Sequence, residues 1–209
     1  MMVSHESILG VAIIALGMVL TPGPNMMYLT SRAISQGRLA GLTSLAGVAL
    51  GFVFYLLASA LGLVTLFKTV PIAYDIIRIA GAIYLGYLAW NMLRPQGLSP
   101  FKAQELSPHS PLRLFTMGLV TNLLNPKIAL MYSALIPQFI DVTAGSTLEQ
   151  FIQLGFIQIV IAVTINGMIV LAASSVSAFL SERPSAMRTQ QILSGSVLGF
   201  FAIDLILRE

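Results

Sequence analysis

The sequence predicts an all-α integral membrane protein: six transmembrane helices forming two inverted three-helix repeats, with the first and fourth helices broken by proline. Three observations carry this. The 209 residues are 56% hydrophobic and only 9% charged, whereas soluble domains carry about 25% charged residues. Six apolar stretches of membrane length recur along the chain. Two of them contain matching interruptions, Thr21-Pro22-Gly23-Pro24-Asn25 and Asn125-Pro126-Lys127.

Residues 7–31 form the first span and contain no charged side chain. As a helix this stretch is roughly 37 Å long, against about 30 Å of hydrocarbon. It is too long for a signal-peptide core, and no Lys or Arg precedes it, only His5 and Glu6 among ionisable side chains, so it is expected to remain in the mature protein. Residues 39–67 and 150–181 are equally uncharged and give the second and fifth spans. Residues 71–93, 112–140 and 189–207 give the third, fourth and sixth, each with one or a few charges. The alternation of a membrane β-barrel is absent.

Basic residues set the orientation. Arg32 and Arg38 follow span one, Arg94, Lys102 and Arg113 follow span three, and Arg183 and Arg188 follow span five. The opposite loops offer little beyond Lys68 and Arg208, with Arg78 just inside span three. The positive-inside rule therefore places both termini outside. The Pro- and Gly-rich segment 94–112 is the one linker, dividing the chain into residues 1–93 and 113–209. Three spans per half require that related halves be inverted relative to each other. Leu16-Gly17-Met18-Val19 echoes Met117-Gly118-Leu119-Val120, and Gly47–Gly51 echoes Gly195–Gly199.

The breaks are the candidate site. Proline removes a backbone donor and frees a carbonyl that hydrocarbon cannot satisfy. One reading of Thr21, Pro22, Gly23, Pro24 and Asn25 is a packing kink repaired by neighbours, with Thr21 or Asn25 capping the exposed ends. The other is a substrate site, in which amides opening the second half-helix receive a carboxylate. Lys127 in Asn125-Pro126-Lys127 is the one ionisable residue near the centre of a span, at a cost of roughly 2.5–3.5 kcal/mol. One reading has it snorkel or donate to carbonyls freed by Pro126 as a structural clasp, and the other has it face a wet cavity and hold a substrate carboxylate or titrate during transport, with Asn122 and Asn125 as hydrogen-bonding neighbours either way.

Span five carries a small and polar stripe of Gly155, Gln158, Ala162, Asn166 and Ala173. Span two carries Ser44, Gly47, Gly51, Tyr55, Ala58 and Gly62. Both stripes suit close helix contact, and Tyr55, Gln158 and Asn166 are their members best able to line a cavity. The Gly-xxx-Gly pairs suit either packing within the chain or a homodimer. Asp75 and Arg78 are spaced to pair along span three.

Other chemistries are disfavoured. The chain has no cysteine, its two histidines lie outside the spans, and it has neither a Gly-x-Ser-x-Gly nor a His-Glu-x-x-His pattern. That argues against an intramembrane enzyme, so no catalytic residue is assigned. The clustered carboxylates, histidines or thiolates of a metal exporter are also missing, so no metal site, cofactor or nucleic-acid partner is expected. A non-transporting membrane scaffold, or an exporter of another small solute or metal ion, remains as an alternative.

Several motifs together resemble the lysine exporter family, especially its homoserine and threonine exporter branch. They are Gly17-x-x-x-Thr21-Pro22-Gly23-Pro24-Asn25, Gly37-Arg38-x-x-Gly41, Gly47 and Gly51, then Gly81-Ala82-x-Tyr84-Leu85-x-Tyr87-Leu88-x-Trp90, Asn122-x-x-Asn125-Pro126-Lys127 and Pro137-Gln138-Phe139. The resemblance runs along the whole chain, with Asp204 more polar than the family pattern leads one to expect. It implies a multi-pass protein of the bacterial inner membrane that exports amino acids or close derivatives, driven by a proton or ion gradient. The absence of a deep carboxylate favours neutral over dibasic substrates.

Overall fold

The computed structural model describes residues 3–69, 72–94, 107–181 and 183–207, and no strand occurs among them. Eight α-helices follow in order: α1 His5–Leu20, α2 Pro24–Gln36, α3 Arg38–Thr69, α4 Ile72–Leu93, α5 Pro111–Leu123, α6 Pro126–Leu130, α7 Thr147–Ser181 and α8 Pro184–Leu207. Between α6 and α7 the chain passes through a π-helical turn, Met131–Leu135, and a 3-10 turn, Ile136–Phe139.

Local chemistry sets the boundaries. Ser4 opens α1 by accepting from the Ser7 amide at 3.1 Å, and Ser110 opens α5 by accepting from the Arg113 amide. Pro24, Pro111, Pro126 and Pro184 each stand at the start of a helix, where the missing N–H costs nothing. Between α2 and α3 the chain turns at Gly37, whose φ of 91° is a left-handed conformation that suits glycine.

Both proline interruptions are sharp bends. α1 and α2 meet at 52°, and α5 meets the segment Pro126–Phe139 at 50°. By length and hydropathy α3 and α7 each suffice to cross a membrane, and each bent pair adds one span, giving two to four among the described residues. Large apolar side chains such as Leu50, Phe54, Leu57 and Leu61 on α3, and Phe156, Val160, Met168 and Leu171 on α7, are exposed. Such faces suit lipid, not water.

α3 is the central strut, packing against α2, α5 and α7, while α4 pairs with α8 and α1 with α7. The α3–α5 contact is backbone to backbone. A Cβ at Gly47 would lie 2.0 Å from the Phe115 carbonyl oxygen, and one at Gly118 would lie 2.1 Å from that of Ser44. Gly195 lets α8 pack on α4, where a Cβ would lie 2.8 Å from the Leu93 side chain and 3.2 Å from the Ala89 carbonyl oxygen. Both Gly-xxx-Gly motifs are thus engaged within the chain. Gly17 contacts Phe201 of α8 instead, so the two glycines of the Leu16 and Met117 echo do different work.

The span-five stripe is buried along its length, as expected. The span-two stripe is buried only from Ser44 to Gly51, with Tyr55 half-buried and Ala58 and Gly62 exposed. The cause is that α5 ends at Leu123. Beyond that level α3 turns Leu56, Ser59 and Ala60 inward instead.

At one end of the bundle Arg32 of α2 donates to the Ser107 carbonyl at 3.0 Å, and Gln36 exchanges two hydrogen bonds with the His109 backbone, at 2.7 and 2.9 Å. Arg188 of α8 donates to the Arg94 carbonyl at 2.9 Å. At another end the Val3 amide donates to Gln153 and the Asp141 amide to Gln150. Residues 95–106 of the expected linker, including Lys102, lie outside the described residues, as do Arg208 and the side chain of Arg78.

Candidate functional site

The site begins with carbonyls left without partners. In an unbroken helix the Met18 carbonyl would accept from the amide of residue 22, which is proline. Lys127 supplies the missing donor. Its ammonium donates to the Met18 and Thr21 carbonyls, 2.7 Å from each. It stands at the carboxyl end of α1, where the helix dipole favours a cation. The Thr21 hydroxyl turns back onto the Gly17 carbonyl at 2.7 Å. Gly23 clears the path: a Cβ there would lie 3.0 Å from the lysine nitrogen.

The second break is repaired from the other side. Pro126 cannot donate to the Asn122 carbonyl, so the Asn125 amide does, at 3.0 Å. Asn125 caps α6 by accepting the Lys127 amide at 3.1 Å, which deprives the Leu123 carbonyl of its helical partner. The Tyr55 hydroxyl of α3 fills that vacancy at 2.7 Å. Tyr55 stacks on Tyr132 with centroids 5.8 Å apart, and the Tyr132 hydroxyl donates to Gln158 of α7 at 2.6 Å.

The two breaks therefore meet inside the bundle. Beside the contact lies a cavity of about 30 Å³, lined by Met18, Asn25, Met26, Phe52, Asn125, Lys127, Met131, Gln158 and Asn166, among others. That volume holds one or two waters and no amino acid as the side chains stand. Its polar groups are incompletely satisfied. Both side-chain polar atoms of Asn25 and the amide nitrogen of Asn125 are buried without a partner, although the residues are only 6% and 1% exposed. Unpaired amides in the interior are costly. With the lysine ammonium and the α1 carbonyls, they form a set able to hold both a carboxylate and an ammonium group.

Of the residues singled out from sequence, Asn25, Asn125, Lys127, Gln158 and Asn166 line this cavity, and Thr21, Pro22, Gly23, Pro24 and Pro126 shape it. Tyr55 braces the second break from outside. Asn122 is fully buried with an unpartnered side chain, but it faces Gly51 of α3 and not the cavity. Asn25 caps no helix, since α2 has no side-chain cap. Sequence reasoning overlooked Met18, Tyr132 and the π turn. Met18 was findable, because it stands four residues before Pro22. Tyr132 carried no local signal.

Comparison with known proteins places the chain among translocators. The family model described as LysE type translocator matches residues 16–209. The leucine efflux protein of Salmonella typhimurium strain LT2 is 28% identical over 191 residues, covering 91% of this chain and 90% of that protein. The leucine efflux protein of Klebsiella pneumoniae is 29% identical over the same shares. No solved structure matches the chain. With nearly its whole length covered by one family model, the chain belongs to the LysE type translocator family and is a transporter, not an enzyme.

Proposed function

We propose that the protein is a secondary transporter that exports neutral amino acids, of the homoserine, threonine or leucine kind, across the bacterial inner membrane. The names of its leucine efflux relatives support the substrate class. The observation that carries the site is the junction of the two breaks, where Lys127 of α6 grips α1 beside the unpartnered amides of Asn25 and Asn125. A zwitterion fits such a junction. Its carboxylate goes to the asparagine amides, the amide ends of α2 and α6 and Lys127, and its ammonium to freed carbonyls.

In this reading α4 and α8, of 22 and 24 residues, complete six spans. Inverted repeats are supported by reciprocal packing: span two lies on span four, and span five lies on span one. The halves rock about the cavity to open it to each side in turn, driven by a proton or ion gradient. The arginine-bearing loops lie in the cytoplasm and both termini outside.

Counterflow in proteoliposomes against a panel of labelled amino acids tests the function. Leucine or threonine should exchange, and Asn25→Ala or Asn125→Ala should lower exchange at unchanged insertion. Vesicles that exchange no amino acid would point to the scaffold alternative, and full activity in both variants would remove the proposed site.

A further inference from the structure

The ammonium of Lys127 sits where a ligand's ammonium would be expected to sit. The Met18 and Thr21 carbonyls lie at the negative end of α1, the former orphaned by Pro22, and together they form a cation seat. The seat is filled from across the cavity by a side chain of the other half. With only about 30 Å³ free, an amino acid enters only if something leaves. Lys127 is the group whose bonds the newcomer's own ammonium duplicates, and two like charges do not share two oxygens.

We infer that Lys127 is a tethered stand-in for the α-ammonium of the transported amino acid. The entering zwitterion takes the Met18 and Thr21 carbonyls, and the displaced lysine ammonium pairs with its carboxylate. This rests on the reading of the cavity as an amino-acid site. The exchange replaces a direct clasp between α1 and α6 with one that runs through the ligand, so occupancy itself spreads the two halves. It also sets a rule of recognition. A ligand must carry both a free ammonium, to win the seat, and a free carboxylate, to receive the lysine.

The test compares L-leucine, L-leucinamide and N-acetyl-L-leucine as competitors of labelled leucine on purified protein, alongside counterflow. Against wild type only leucine should compete. In Lys127→Met, similar in length but uncharged, the seat stands empty and the carboxylate has lost its partner. Leucinamide should strengthen, and leucine, which gains the same seat but loses its carboxylate's partner, should lose its advantage over leucinamide by roughly ten- to a hundredfold, the range for a hydrogen bond to a charged group. Equal weakening of both ligands, or an unchanged ranking while wild type exchanges leucine, overturns the inference and leaves the proposed function standing. Wild-type vesicles inert to every amino acid overturn the function and the inference with it.

A second measurement keeps Lys127 in place. The chain lacks cysteine, so Leu20→Cys and Leu124→Cys, at positions 51% and 77% exposed, accept spin labels cleanly. Saturating leucine should shift the distance between them, and leucinamide should not. An unmoved distance with leucine bound overturns the inference.

Discussion

Replacing Gly118 with alanine tests whether the backbone contact between α3 and α5 holds the site together. The new Cβ would sit 2.1 Å from the Ser44 carbonyl oxygen, whereas comfortable C···O contacts run about 3.3–3.6 Å. The obstacle is backbone, so the helices must part by roughly 1.2 Å or more. A rigid shift of that size carries the Leu123 carbonyl out of reach of the Tyr55 hydroxyl, now 2.7 Å away. Overpacking costs about 1–3 kcal/mol and the orphaned carbonyl about 1–3 kcal/mol more. Together they lower the melting midpoint by roughly 4–24 °C. Detergent-solubilised fluorescent fusions, heated and resolved by size exclusion, give that midpoint. Gly62→Ala is the control, because no described residue lies within 4 Å of its would-be Cβ, and it should leave the midpoint unchanged or raise it by about 2–4 °C. Tyr55→Phe deletes only the hydroxyl, orphans the same carbonyl and should cost about 1–3 kcal/mol. Combined with Gly118→Ala it should add less than it does alone, since the bond is already broken. Full additivity, or equal damage from Gly62→Ala, would refute the coupling of this contact to the site.

Two further changes probe other parts of the chain. Pro22→Ala restores an N–H four residues after Met18, competes with Lys127 for that carbonyl and straightens the bend; counterflow should fall about tenfold, some 1.4 kcal/mol, with insertion intact. Outside the spans, the Thr143 hydroxyl and amide hold the Asp141 carboxyl below its ordinary value of 3.8. Because the folded value is depressed, the turn's contribution is full above 3.8 and fades as pH falls through the lower folded value. Thr143→Val should raise the Asp141 midpoint, as followed by carboxyl infrared bands.

Legibility in the sequence followed the range of the interactions. The apolar helices and both breaks depend on neighbours in the chain, and the apolar runs with Pro22, Pro24 and Pro126 declared them; the caps at Ser110 and Asn125 are equally local but were not read. The meeting of Lys127 with Met18 crosses 109 positions, and the argument from cost pointed elsewhere: a mid-span lysine needs partners, and the expected ones were carbonyls freed by Pro126 in its own span, not those freed by Pro22. Which partners was not readable. Tyr55 bonding the Leu123 carbonyl depends on how far α3 slides along α5, which the glycines permit but do not specify. The exposure of Ala58 and Gly62 was missed for the same reason, since helical spacing extends a stripe past the point where its neighbour ends. The π turn at Met131–Leu135 follows a short α6 and departs from the regular helix that an apolar run suggests.

Because the donor for Met18 and Thr21 is residue 127, the first third of the polypeptide leaves the ribosome with a defect that only a much later stretch can mend. Until that stretch is inserted, the amino-terminal fragment has two bare oxygens in hydrocarbon. Expressed alone, it should be short-lived and prone to degradation. Supplied as a separate gene product, the carboxy-terminal fragment should rescue it, and should do so only when it carries the lysine.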